Sequence, residues 1–372
     1  MSVSANLSLK SFAPLLLSKT PLIDLRAPVE FSQGALPNAT NLPILNNQER
    51  AQVGTCYQHQ GQAAAITLGE KLVSGGVLQE RLDGWCQFIK SNPNTLLYCF
   101  RGGLRSLKSQ EFLAAVNVET TIIEGGYKRV RNYLLEQLES LGGQERLLVL
   151  AGETGSDKTG IINSLIDSLD IIDLEGLAAH RGSAFGATGE ERPTQINFEH
   201  ALTMELLQLQ AERKSTFTLI EDESQRIGNC SLNSSFYQNK QNSPTFRLTI
   251  PLEERVYYTR TLYVESWWNR LVQESGEDDI YQRFLQHFQA PLDRIKKRLG
   301  GAKHQEAVKL LQVAVEQQRA GGSFLAHDGW INLLLADYYD PLYRKTIEQK
   351  RVVGQGDRQE FLSFVKSWHP KD

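Results

Sequence analysis

Residues 95–106 read Thr-Leu-Leu-Tyr-Cys-Phe-Arg-Gly-Gly-Leu-Arg-Ser, and the reading of the first half of the chain turns on them. Leu96, Leu97 and Tyr98 make a short apolar run of strand type, followed by Cys99, Gly102, Gly103 and Arg105 before a helical pattern begins. The cysteine therefore sits at a strand-to-helix turn, where free backbone N–H groups and the positive end of the helix dipole favour an anion. Gly102 and Gly103 let the backbone close around one. Such surroundings lower a thiol pKa from about 8.5 into roughly the 3.5 to 7.5 range. Arg105 is expected to clamp the same anion with two hydrogen bonds. The competing reading, a small buried hydrophobe, is the commoner fate of a free cysteine. The glycine pair and Arg105 weigh against it.

The spacing from Cys99 to Arg105 resembles the rhodanese-type sulfurtransferases and their phosphatase relatives, which share one fold. Upstream, Asp24-Leu25-Arg26, Glu30-Phe31 and Gly34 resemble the N-terminal signature of rhodanese domains; downstream, Glu124-Gly125-Gly126-Tyr127 sits where that family has its last strand and turn. Taken alone, Asp24 and Arg26 would be a surface ion pair of small value. Between these signals lies a polar, partly helical insert from Asn46 through Gly61 to Gly69. Its Arg50, Thr55 and Tyr57 contact a polar substrate or belong to a solvated excursion; spacing does not choose between them.

The rest of the composition is ordinary. The 372 residues are enough for two domains, with 41% hydrophobic residues to fill their cores. Cys56, Cys86, Cys99 and Cys230 lie far apart, so neither a zinc site nor a disulfide framework is expected and a reducing cytoplasm fits. No basic segment leads into a long apolar core, which predicts a soluble, unexported protein with no membrane partner. A net charge of −3 argues against indiscriminate nucleic-acid binding and leaves a local basic groove open.

Residues 146–151, Arg-Leu-Leu-Val-Leu-Ala, read as a buried strand of a parallel sheet, and Gly152-Glu153-Thr154-Gly155-Ser156-Asp157-Lys158-Thr159 follows before an amphipathic helix. This is the context of a P-loop, in which Gly152, Gly155, Ser156 and the backbone amides wrap a diphosphate, Lys158 meets it and Thr159 holds Mg²⁺. Asp157 stands where a glycine is expected. A carboxylate there costs backbone freedom and repels a phosphate charge by about 4 kcal/mol at 4 Å and an effective dielectric of 20, which argues against ATP hydrolysis.

A second core strand ends at Glu221-Asp222-Glu223, where P-loop folds place a metal-orienting acid. His180-Arg181-Gly182-Ser183 offers further donors to phosphate or ribose oxygens. Residues 198–213 read as a core helix of this domain, and 244–255 as its late strand and following helix. The tail is helical and aromatic and carries Arg294, Lys296, Lys297 and Arg298, either a footprint for an RNA backbone or a solvated helix face.

The expected architecture is α/β: a rhodanese-like domain with a parallel sheet over 1–140, a P-loop-like parallel α/β domain over 141–260, and a helical extension over 261–372 packed on the latter. This pairing, together with Glu49-Arg50, Asp173-Leu174-Glu175-Gly176-Leu177, Glu221-Asp222-Glu223-Ser224 and Tyr339-Asp340-Pro341-Leu342-Tyr343, closely resembles the bacterial tRNA 2-selenouridine synthase family nearly end to end. The resemblance implies a tRNA-modifying transferase that converts wobble 2-thiouridine to 2-selenouridine through an S-geranyl intermediate, with geranyl diphosphate and selenophosphate as co-substrates. It implies no tightly bound cofactor, Mg²⁺ as an optional metal, and a monomer or weak dimer.

Under that reading Cys99 carries the selenium step. Arg101, Gly102, Gly103, Leu104, Arg105 and Ser106 hold selenophosphate, and the P-loop holds the geranyl donor. Arg50, Lys128, Arg129 and the 294–298 cluster are the tRNA-contact candidates. Two alternatives stand beside it: a rhodanese-type sulfurtransferase or thiol enzyme without RNA, and a nucleotide-binding kinase-like or regulatory module.

Overall fold

Alternation along three short strands builds the first unit. The computed structural model describes residues 4–5, 12–181, 185, 191–274 and 280–370. Strands β1 (Ser4–Ala5), β2 (Leu22–Asp24), β3 (Ala39–Asn41), β4 (Leu96–Tyr98) and β5 (Thr121–Ile123) pair in the order β1-β5-β4-β2-β3, every pair parallel. Successive side chains leave a strand on opposite faces. Leu22, Tyr98 and Ile123 accordingly meet Phe12, Leu16, Val130 and Leu134 on one face, whereas Ile23, Leu97 and Ile122 meet Leu82, Trp85 and Leu113 on the other. Both faces are covered by helices, as a parallel sheet requires.

The chain divides into two compact units, residues 1–142 with 193–212, and residues 143–192 with 213–372. This corrects the contiguous reading of 141–260 as one domain. The helix Gln195–Ala211 belongs to the first unit, where its Leu207 enters the core with Phe12 and Leu134. Its Asn197 Oδ1 accepts from Ala35 N–H at 2.9 Å, and His200 Nδ1 meets Ala35 O at 2.7 Å. Helix Gly126–Gln144 runs through both Gly142 and Gly143.

The second unit is a five-stranded parallel sheet. Its members are β6 (Leu147–Gly152), β7 (Asp170–Ile172), β8 (Thr218–Glu221), β11 (Pro244–Leu248) and β12 (Arg351–Gly356), in the order β12-β11-β6-β8-β7. A separate antiparallel pair, β9 (Arg226–Ile227) and β10 (Cys230–Ser231), lies beyond β8 in sequence. The tail is therefore not wholly helical, because β12 pairs along β11 and supplies one edge of the sheet. Helix Arg358–Ser367 follows and lays Phe361 and Phe364 against Phe246, with ring centroids 5.1 and 4.9 Å away. The remaining helices of the tail bury their own aromatic core, with Phe284, Phe288, Leu311 and Trp330 at its centre. No helix among the described residues is long and apolar enough to cross a membrane.

Burial fixes the charge state of His200. Desolvation, reinforced by the nearby Arg131, pushes its pKa down from 6.5 to about 4, so the folded chain holds it neutral. The unfolded chain takes up that proton first, so the contribution to stability is full above about pH 6.5 and is lost progressively down to about pH 4, for a total of about 3 kcal/mol. His200→Asn should flatten the first unit's pH dependence in that window, followed by hydrogen exchange of amides in its core.

Candidate active site

Strand β4 delivers Cys99, 3% exposed, to a loop that backbone contacts pin against the turn after β5. Tyr127 N–H donates to Cys99 O at 2.9 Å and Lys128 N–H to Phe100 O at 3.0 Å. Gly102 and Gly126 adopt φ of +63° and +55°. A Cβ on Gly126 would stand 2.2 Å from Cys99 O, and one on Gly102 would stand 2.8 Å from Ile123 O. Glycine alone permits this approach. Among the described residues, the amides of residues 100–105 donate to no protein acceptor, which makes the loop a run of unpartnered donors suited to an anion. Ser106 is different: its amide is spent on Gly103 O at 2.9 Å, while its fully buried Oγ lacks a partner.

Arg105 does not clamp that cradle. Its Nη1 donates to Glu30 Oε2 at 2.7 Å and its Nη2 to Glu30 Oε1 at 3.3 Å, with Arg50 Nε 3.8 Å from the same carboxylate. Burial alone would raise the Glu30 pKa, but the bonds and charge of Arg105, helped by Arg50, hold it below its ordinary value. The fork is thus satisfied by an ionised side chain of the protein. Arg101 is exposed, its guanidinium carbon 6.0 Å from the centre of the Phe100 ring. Asp24 and Arg26 are a buried brace, with Arg26 Nη2 donating to Asp24 Oδ2 at 2.6 Å and to Gly34 O at 2.8 Å. The guanidinium also lies 3.8 Å from the centre of the Tyr127 ring, beside the glycine turn.

In the second unit, β6 is buried throughout and ends at Gly152. The amides of Gly155, Asp157, Lys158, Thr159 and Gly160 donate to no protein acceptor among the described residues, and Gly155 has φ of +83°. Ser156 Oγ closes the turn onto Glu153 O at 2.7 Å, and Lys158 Nζ rests on Gly152 O at 3.0 Å. Asp157 takes a left-handed conformation, with φ of +54°, which suits the glycine expected there and which aspartate tolerates better than most residues. Its Oδ2 lies 3.3 Å from Arg358 Nη2. Its carboxylate also occupies the space over Gly160, where a Cβ would stand 2.3 Å from Oδ1. The expected repulsion of a phosphate is therefore offset by a cation that the sequence reading did not identify.

Arg255, also missed, braces the loop from behind. It donates to Thr154 O at 3.2 Å and makes a buried two-bond pair with Asp340, both at 2.8 Å.

Two carboxylates meet Thr159 and a third lies beside them. Its Oγ1 lies 3.0 Å from Glu175 Oε2 and 2.9 Å from Glu221 Oε2, and one oxygen each of Glu175, Glu221 and Glu223 lies within 4.8 Å of the others. A hydroxyl has one proton to give, so a second carboxyl must carry its own. Burial, then the charges of Glu175 and Glu223, drives the Glu221 pKa well up, and burial and Glu175 push Glu223 to about 8. Glu221 Oε1 is buried without a partner. These oxygens fit a hard divalent cation, which would let Glu221 and Glu223 ionise. Asp222 is not part of this set. It turns to the buried Lys240 at 2.9 Å and to Lys350 at 2.7 Å, and against the effect of burial those two cations lower its pKa.

His180 packs against Gly228, whose Cβ would meet the ring at 2.8 Å, and burial lowers its pKa. Arg181 Nη1 is tied to Leu262 O at 3.1 Å. Ser183 lies outside the described residues. Lys128 is exposed, and Arg129 stands 3.6 Å from Glu124. Arg294, Lys296, Lys297 and Arg298 are exposed along the last turns of helix Ile280–Leu299, where the helix dipole favours cations without any ligand.

Two donor-lined loops at strand ends, one with a cysteine and one with a lysine, define an α/β enzyme of the group-transfer class. The family model described as tRNA 2-selenouridine synthase AAA domain matches residues 145–371. Relatives named tRNA 2-selenouridine synthase include those of Shewanella woodyi, 42% identical over 95% of this chain and 96% of its own, and Shewanella sediminis, 40% identical over 99% and 100%. The Aeromonas salmonicida protein of that name is 41% identical over 96% of each chain. The chain belongs to the tRNA 2-selenouridine synthase family.

If Arg358 acts by neutralising Asp157, Arg358→Ala should weaken calorimetric binding of pyrophosphate by roughly three- to fivefold, the range of an exposed pair. The loss should vanish in the Asp157→Gly background. A loss that persists there would mean that Arg358 meets the ligand itself.

Proposed function

We propose that this chain converts wobble 2-thiouridine of tRNA into 2-selenouridine through S-geranyl-2-thiouridine, using geranyl diphosphate and selenophosphate. The observation that carries the reading is the presence, in one chain of this family, of two separate sets of backbone amides without partners among the described residues, each at the end of a parallel strand. Two anionic co-substrates call for two such cradles.

In the first step the thiocarbonyl sulfur attacks C1 of the geranyl group, the C–O bond breaks and diphosphate leaves with the electron pair. The amides of residues 157–160 and Lys158 stabilise that leaving charge. Mg²⁺ on Thr159 and the three glutamates would supply further neutralisation. Alkylation also turns sulfur into a better leaving group for the second step.

Selenophosphate holds selenium at the oxidation level of selenide. Attack of Cys99 Sγ on phosphorus breaks the P–Se bond and leaves the pair on selenium, so no external redox partner is needed. Selenide then adds to C2 and expels geranylthiolate, while water returns the phosphoryl group of Cys99 to phosphate. Residues 100–105 donate to the phosphoryl oxygens. Arg105 joins them only by leaving Glu30.

The reading divides the labour between Cys99 and Lys158. With geranylation and selenation assayed separately by mass spectrometry of tRNA nucleosides, Cys99→Ala should retain geranylation and lose selenation of pre-geranylated tRNA, at least about a hundredfold. Lys158→Ala should do the reverse. Selenation that survives Cys99→Ala and fails in Lys158→Ala would overturn the assignment. A thiosulfate:cyanide transferase activity without RNA binding would favour the sulfurtransferase reading.

A further inference from the structure

The insert between β3 and β4 has an unusual shape. Helix Asn47–Leu72 breaks at Gly61, which has φ of +82° and ψ of −177°. The two arms fold back on each other, so that a Cβ on Gly69 would lie 3.9 Å from Val53 Cγ2. Only Ala65 of the 26 residues is buried. A helix that buries so little of itself has its packing surface turned toward something else.

That surface lines a cleft of about 790 Å³, a size common for small-molecule sites. Ile44, Leu45, Val53, Ala65, Ile66 and Phe112 give it an apolar lining. Tyr57 and Leu104, 58% and 45% exposed, carry that lining out toward solvent. Glu30, Arg50, Arg105 and Lys108 also line it. Leu104 and Arg105 are the first turn of helix Leu104–Ala115, directly after the Cys99 loop, so the cleft and the thiol loop share one turn of backbone.

We infer that this cleft binds the ten-carbon chain of the S-geranyl intermediate and so places C2 of the base over the Cys99 loop. The inference rests on the function proposed above and adds the place where the intermediate is recognised. A branched apolar chain matches the lining, while the cations at its edge are paired with carboxylates, Arg50 and Arg105 with Glu30 and Lys108 with Glu70 and Glu111.

The test uses the full-length protein and anticodon stem-loop RNAs whose 2-thiouridine carries S-methyl, S-prenyl or S-geranyl. Each buried methylene is worth about fourfold, so selenation by the wild type should rise steeply with chain length in kcat/KM. Gly54 lines the cleft, and a Cβ there meets nothing within 4 Å. Gly54→Phe should therefore fill the cleft without disturbing the fold, and helix propensity favours the change. It should cost the S-geranyl substrate about tenfold or more, with the S-methyl substrate unchanged. A flat chain-length series, or a series that Gly54→Phe leaves intact, overturns the inference while the proposed reaction stands.

A second measurement does not require turnover. An S-geranyl-2-thiouridine nucleoside with a diazirine on its terminal isoprene unit should label peptides within residues 44–73 or 104–112, and Gly54→Phe should suppress the label. Labelling confined to other peptides overturns the inference. Failure of the wild type to selenate any S-alkylated RNA would sink the proposed function, and the labelling then decides the cleft alone.

Discussion

A parallel strand that ends in a loop leaves amides that neither the sheet nor the next helix can satisfy, and both candidate sites are built on that constraint. Residues 100–105 and 157–160 meet it in the same way, by presenting their N–H groups to whatever anion arrives. Such loops must be held open against collapse onto the protein's own carbonyls. In the first unit the brace is backbone against backbone, with Gly126 close on Cys99 O and Gly102 close on Ile123 O. In the second it is a buried guanidinium, Arg255, anchored by Asp340 and reaching Thr154 O. Removing one partner of a buried pair leaves an unpaired charge, at a cost of about 3 to 5 kcal/mol, so the second brace is the more brittle of the two.

Both loops were legible in the sequence because their chemistry is local. A strand, two glycines and a cysteine, or a strand, a glycine turn and a lysine, declare themselves within a dozen residues. What was not legible depends on residues far apart. Asp157 reads as a defect until Arg358 is found beside it. Arg105 reads as an anion clamp until Glu30, already noted as part of the Glu30-Phe31 signature, proves to occupy it. Asp222 and Glu223 are indistinguishable as sequence neighbours. Alternation at the end of β8 sends one to Lys240 and Lys350 and leaves the other with Glu175 and Glu221.

The fold shows the same division. The parallel direction of the strands in each sheet follows from apolar runs separated by helices, and the fold class is α/β as read. Helix Gln195–Ala211 was placed with its sequence neighbours because its apolar face says only that it is buried, not against what. β12 was lost in a tail read as helical because most of its residues are solvent-exposed, so no period-2 burial pattern marks it.

The pairing of Arg105 with Glu30 links the thiol loop to the insert. Glu30 also attracts Arg50 from the first turns of helix Asn47–Leu72, so one carboxylate holds two guanidinium groups, one on each side of the cleft. A substrate phosphate that took Arg105 would leave Glu30 to Arg50 alone, at a separation of 3.8 Å that a small side-chain movement would shorten. Arrival of an anion at the cradle would then strengthen the tie between Glu30 and Arg50 on the insert. The energy involved is modest, because Arg50 is half exposed and its pairing is screened by solvent. A modest term suits the role proposed for the cleft: a site that released geranylthiolate at each turnover would gain nothing from a tightly locked wall.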